Sequence, residues 1–205
     1  DSTAFGANAL QQATTSSFNT GIGAYAGAAI TTGASNTALG YTALDATTTG
    51  SYNTALGTAA LTSSTTGAYN VAFGGNALLS NTTGINNTAV GSATDAAGAS
   101  LENNTTGGHN TALGHVSLRH NTTASFNSAV GYAALSANTT GANNSAVGYA
   151  ALRTMTTGSN MTAIGHNAGY QTTTGTHNTT IGASSGGNIT TGNENITLGR
   201  TAGTD

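Results

Sequence analysis

Few side chains in this chain of 205 residues could do chemistry, and their spacing argues against most of it. Gly182-Ala183-Ser184-Ser185-Gly186 has the Gly-x-Ser-x-Gly spacing of a hydrolase nucleophile turn. Such a serine needs a strand–turn–helix setting and acid and base partners, and no helix-forming stretch follows it. Gly21-Ile22-Gly23 is a fragment of a repeat rather than a phosphate loop. His109, His115 and His120 cluster, with His166 and His177 further on, but a zinc site would want cysteines or carboxylates beside them. The chain has no Cys. Asp45, Asp95, Glu102 and Glu194 are scattered, with neither an Asp-x-Asp-Gly calcium loop nor an acid pair for glycoside hydrolysis. No catalytic residue, cofactor or metal is expected.

Two sets of aromatic residues remain. Tyr41, Tyr132 and Tyr149 share one place in a repeat, and Phe18, Tyr52, Tyr69 and Phe126 share another. They could stack on sugars, or seal turns and contacts between chains, and the second reading is preferred. Asn81, Asn121, Asn138 and Asn188 each begin an Asn-x-Thr sequon, open to glycosylation in a secreted protein. A stacking role for Asn and Thr explains the same residues.

What must position these groups is a repeat. Asn36-Thr37-Ala38-Leu39-Gly40 returns as Asn53-Thr54-Ala55-Leu56-Gly57 and again down the chain. The period is 17 residues, with one step of 23 between Asn87 and Asn110. Counting the Asn as position zero, position four is Gly in every repeat, including Gly40, Gly57, Gly74, Gly91, Gly114, Gly131 and Gly148. Position three is always large and apolar, as in Leu39, Leu56, Phe73, Val90, Leu113, Val130 and Val147. Position two is nearly always Ala, and positions twelve and thirteen read Thr-Thr. The expected organisation is one array over 1–205: eleven full repeats from Ser2, a partial repeat over 195–205, and an insertion around 94–104.

Composition narrows the class. Charged residues are 4% of the chain, against about 25% in an ordinary domain. Arg119, Arg153 and Arg200 are the only Lys or Arg residues, which excludes a basic stripe for nucleic acid. No apolar run approaches the roughly 18 residues of a membrane span.

Gly and paired Thr are poor helix formers, and no apolar stripe of helical period exists. Short β-branched stretches bounded by Gly and Asn suit strands and turns. With a fixed period, the expected fold is all-β: a parallel β-solenoid (β-roll or β-helix) of 17-residue coils. Stacked at roughly 4.8 Å, they make a rod about 55 Å long. Asn36, Asn53, Asn70, Asn87, Asn110, Asn127 and Asn144 should stack as an amide ladder, at a corner where left-handed backbone is tolerated. The Gly column should mark positive φ or close backbone approach. Thr-Thr should lie in a strand, one side chain in and one out.

Neighbours on a strand face opposite sides. With Ala inside the narrow coil, Leu39, Leu56, Phe73, Val90, Leu113, Val130 and Val147 form an outer apolar stripe, expected to be covered by other copies of the chain. The opposite arrangement, Leu inward and Ala in water, gives a monomeric rod. The insertion, Ala96 to Glu102, reads either as a binding loop or as a tolerated bulge. The array starts at once and stops in mid-repeat, which predicts end-to-end addition of copies as well as lateral association.

Asn127-Ser128-Ala129-Val130-Gly131 and Asn144-Ser145-Ala146-Val147-Gly148 resemble the head repeats of YadA-like trimeric autotransporter adhesins. That resemblance implies a left-handed parallel β-roll in which three chains bury their inner strands together. The longer repeat, with Asn-Thr-Thr-Gly at 81–84 and 138–141, resembles segments of phage tail-fibre-like and large secreted proteins. The expected role is a non-enzymatic structural protein: a self-associating subunit of an extracellular or cell-surface fibre, filament or adhesin head, with host or surface glycans as further partners. The alternatives are the shaft of a phage tail fibre, in the virion, and an ice-binding or glycan-binding solenoid.

Overall fold

A computed structural model describes residues 1–93 and 98–203. It is all-β, with no helix among the described residues. Twelve strands, from β1 (Thr3–Phe5) to β12 (Ile196–Leu198), pair in chain order in one parallel sheet. Each has three residues and comes from one repeat. The register is the repeat itself: Thr37, Ala38 and Leu39 lie beside Thr54, Ala55 and Leu56.

Three strand residues per coil are too few to hold a rod, and the turns supply the rest. In the coil that starts at Asn36, Thr37 donates its N–H to the Asn53 carbonyl of the next coil and Gly40 to Ile22 of the previous one. Thr42 donates to Ala24, Leu44 to Ala60, Ala46 to Thr62, Thr48 to Thr65 and Tyr52 to Ala34. The whole circumference is therefore bonded along the axis.

Pointing N–H groups up and down by turns needs left-handed backbone, and three columns supply it mostly with residues other than Gly. They are the residue before the Asn (Tyr52, φ 59°), position six (Thr42, φ 53°) and position eight (Leu44, φ 54°). The ladder Asn itself is not in that conformation. The sequence expectation put the left-handed corner one residue too late, because the Asn amide is engaged in the coil interior instead.

The core is thin. Ala38, Ala55 and Ala72 of the strands face Leu44, Leu61 and Leu78 of position eight, and all are buried. A left-handed Leu costs roughly 1–2 kcal/mol; full burial returns about 1.5–3, so the column persists. Volume is traded across this interior. Where position two grows from Ala to Thr180, position eight shrinks to Gly186, whose Cβ would sit 2.4 Å from the Thr180 methyl.

Two expectations need correction. Thr48-Thr49 and its equivalents lie in a bend, not a strand, so their side chains do not alternate in and out. The Thr48 hydroxyl instead donates to the Thr65 carbonyl one coil on. The insertion is also shorter than its sequence suggests. Ser100 N–H bonds the Gly91 carbonyl as Ala43 bonds Gly40, and Leu101 is a fully buried member of the Leu column. The six extra residues are thus 94–99, and 100–104 follow the repeat. Thr94, Asp95, Ala96 and Ala97 lie outside the described residues, as do Thr204 and Asp205.

Candidate interaction surfaces

The strand carries one inward and two outward side chains. Ala38, Ala55, Ala72, Ala89, Ala112, Ala129 and Ala146 are inside, essentially without solvent contact. Leu39, Phe73, Leu113 and Val147 at position three are exposed, at 40%, 53%, 46% and 40%. Leu56, Val90 and Val130 of the same column are half-buried. The arrangement with Leu inward is excluded. Beside this stripe, at position one, runs a column of Thr37, Thr54, Val71, Thr88, Thr111, Ser128 and Ser145. The outer face of the sheet therefore pairs a hydroxyl-rich column with a large apolar one over all twelve coils.

Aromatic residues lie just before and just after this strip in some of the coils, and those in successive coils pair with one another. Tyr52 stacks on Tyr69 with ring centroids 5.0 Å apart and planes 5° from parallel. His109 stacks likewise on Phe126. A four-ring ladder runs His115–Tyr132–Tyr149–His166, at 5.7, 5.1 and 5.1 Å. Tyr41 meets Tyr25 edge-on at 6.3 Å. Stacking along the axis occupies the ring faces and turns edges outward. A sugar that binds by lying on a ring finds no free face on Tyr132 or Tyr149, each of which lies between two rings.

The polar ladders are interior. Asn36 Oδ1 accepts from the Asn53 N–H at 2.9 Å and from Asn53 Nδ2 at 3.1 Å. Asn36 Nδ2 donates to the Gly50 carbonyl at 2.9 Å. Asn53, Asn70, Asn87 and Asn110 repeat the scheme, and Asn127 and Asn144 keep its backbone bond. Met161 then takes the column, and the Asn178 N–H meets its sulfur at 3.4 Å.

Sequence reading missed a second ladder at position eleven. Asn81, Asn104, Asn121 and Asn138 are linked Nδ2 to Oδ1, and each donates to the carbonyl three residues on. This ladder ends at Met155, which has no donor, so the Asn138 Oδ1 is buried without a partner. The column mixes Thr47, Ser64, Asn81 and Met155; only the repeated Asn-Thr-Thr-Gly hinted at it. Three of the four named sequon asparagines, Asn81, Asn121 and Asn138, are inside it and closed to modification in the folded chain. Asn188 is exposed.

The Gly column carries both expected features. Gly40, Gly57, Gly74, Gly91, Gly114, Gly131 and Gly148 have φ between +127° and +152°. A Cβ on any of them would lie within 3 Å of the next coil's backbone.

The reactive residues do not converge. Ser184 is a left-handed turn residue, and the Ser185 hydroxyl is committed to the Thr197 carbonyl and hydroxyl at 3.0 and 2.8 Å. A shallow cavity of about 190 Å³ includes Ser184, Asn167 and Tyr170 but no acid or histidine. The histidines fall in three different columns, and the described residues hold no group of three or more His, Cys, Asp or Glu able to hold a metal. Among the described residues no helix is long and apolar enough to cross a membrane. No family model, no curated protein and no solved structure matches this chain.

Proposed function

We propose that this chain is a non-enzymatic, self-associating structural segment of an extracellular or cell-surface fibre or adhesin head. The observation that carries the reading is the outward apolar stripe at position three. At roughly 10 Å wide and 55 Å long, the strand face offers about 550 Å² per copy. Its apolar column, roughly half of that, matches the largest apolar patch of a typical monomer, which is often an interaction site. With the aromatic columns beside it, the face approaches the roughly 800 Å² per partner of a standard interface. The hydroxyl column beside the stripe satisfies its polar groups without charge, so copies of a chain with only 4% charged residues meet without burying unpaired ions. Lateral packing of three such faces about a common axis would cover every stripe at once, in line with the trimeric repeats the sequence resembles.

The test is the Leu56→Asp, Leu113→Asp double variant, compared with Ala55→Asp by sedimentation and circular dichroism. The outward pair should abolish association and leave the β-signal intact. The inward substitution should destroy the β-signal. A wild-type chain that sediments as a monomer at high concentration would overturn the proposal.

A further inference from the structure

Two of the three basic side chains of this charge-poor rod face one cleft. Arg119 and Arg153 occupy position nine of their repeats, two coils apart, with Ser136 between them in the same column. Two rises separate their backbones by roughly 10 Å, within reach for two long side chains. Together with His120 and Tyr132 they line a cleft of about 170 Å³. Its floor is Val116 and Ala133, both buried.

The cleft is a set of donors. Arg119 Nε is held by Glu102 Oε2 at 3.0 Å, which fixes the guanidinium and leaves both Nη groups uncommitted among the described residues. Arg153 Nη1 donates to the Tyr170 hydroxyl at 3.1 Å, with its guanidinium carbon 5.9 Å from the centroid of that ring. That contact fixes the second guanidinium and leaves Nη2 and Nε. Asn103 Nδ2 can only donate, so its 3.2 Å contact makes His120 Nδ1 an acceptor and places the ring proton on Nε2, another donor. The Tyr132 hydroxyl completes the set, and the Ser136 hydroxyl, which donates to the Arg153 carbonyl at 3.5 Å, adds an acceptor. Among the described residues Glu102 is the acid paired with this set, and it offsets one of the two positive charges. A chain of net charge −3 thus holds a local cationic pocket of fixed donors.

We propose that this cleft binds the carboxylate of an acidic saccharide, a uronic acid unit, with the carboxylate between Arg119 and Arg153. The ring hydroxyls lie on Ser136, Tyr132 and His120. Arginine forks match a carboxylate in two-point geometry. A polar, shallow, donor-rich wall suits a polyhydroxylated ring better than an apolar acid. The site lies within a single chain and does not depend on lateral association.

The experiment titrates the intact chain with a galacturonic acid trisaccharide by calorimetry, beside a neutral galactose trisaccharide, inorganic sulfate and poly-glutamate. The uronate should bind and the neutral sugar should bind at least about tenfold more weakly, the factor that one charge-assisted bond supplies. Arg153→Gln should weaken uronate binding by a similar factor, Ser136→Glu should abolish it by placing a carboxylate between the arginines, and Arg200→Gln should leave it unchanged. Binding should persist in the Leu56→Asp, Leu113→Asp variant, which separates this site from the association face. Absence of uronate binding, or wild-type affinity in Ser136→Glu, would overturn the assignment. So would equal affinity for sulfate or poly-glutamate, which would leave a bare anion site.

Discussion

Gly131 holds φ +127°, and a Cβ there would stand 2.5 Å from the Gly148 carbonyl oxygen. Both facts forbid a side chain, and the second involves backbone that cannot swing away. Gly131→Val should cost more than about 4 kcal/mol, the range reserved for strained or overpacked sites, read as a large drop in the denaturant midpoint. Gly141 is not left-handed, but a Cβ there would come still closer to a backbone oxygen, that of Gly158. Gly141→Ala should therefore also lower the midpoint in the same assay, by crowding rather than by backbone strain. The reverse substitution is informative at Thr42, a β-branched residue at φ 53°. Asn8, Asn76 and Asn167 sit in its column, and Asn tolerates this backbone, so Thr42→Asn should stabilise by about 1 kcal/mol. Asp45 has a pKa raised above its ordinary 3.8, because partial burial disfavours its charge. Its contribution is present below that value and lost as pH rises through the folded pKa. Asp45→Asn should thus raise the melting temperature slightly at pH 7 and not in strong acid. The Gly column was legible because only one residue type meets its demand. The left-handed Leu44 and Tyr52 were not, because nothing local distinguishes a strained Leu or Tyr from a relaxed one.

The short strand and the Asn ladder beside it, joined by a second amide ladder from Asn81 to Asn138, form the rigid element. Removing one rung leaves groups stranded: Asn53→Ala orphans the Gly67 carbonyl and the Asn70 N–H in a dry interior, and leaves the Asn36 Oδ1 with only the backbone N–H of residue 53. The cost should be about 2–4 kcal/mol, visible as faster amide exchange centred on three neighbouring coils. Truncating exposed Thr49, which makes no ladder bond, should cost little. The outward Leu and inward Ala were legible because two-residue alternation holds across any strand, even one of three residues. The same rule misassigned Thr48-Thr49, since alternation means nothing in a bend. The insertion was placed too broadly because Ser100 and Leu101 rejoin the frame by hydrogen bonding, whereas the flanking sequence, Gly98-Ala99, has no repeat signature. Gly98 itself, at φ +90°, underlies the Glu102–Arg119 pair, so a side chain there would disturb both.

Over the whole rod, the period alone was enough to read the fold, because stacking identical coils is the one way such a sequence buries its Ala and Leu columns. What lines the surface was less legible, since stacking of His115 on Tyr132 and the meeting of Arg119 with Arg153 depend on which coils follow which. The outer sheet face mixes Thr37 and Val71 in one column and Phe73 and Val90 in the next, a surface too uneven to match a lattice of ordered water. Neither thermal hysteresis nor faceted ice growth is expected in a concentrated solution, and faceting would promote an ice-binding role. Excising residues 127–143, one complete period, should leave the β-signal unchanged and shorten the rod by one rise, because coil 110–126 meets coil 144–160 through the same columns. Excising half a period should abolish the fold. The hydrogen bonds described above also run parallel to the axis, coil to coil, and this sets how the rod answers tension. Pulled from its two ends, it loads one ring of bonds at a time, so coils should peel off singly at modest force. Each rupture frees 17 residues, about 60 Å of chain, and the coil with the extra segment frees 23, about 80 Å. A force-extension trace should read as an even sawtooth with one long tooth, a ruler of the array written in length rather than sequence.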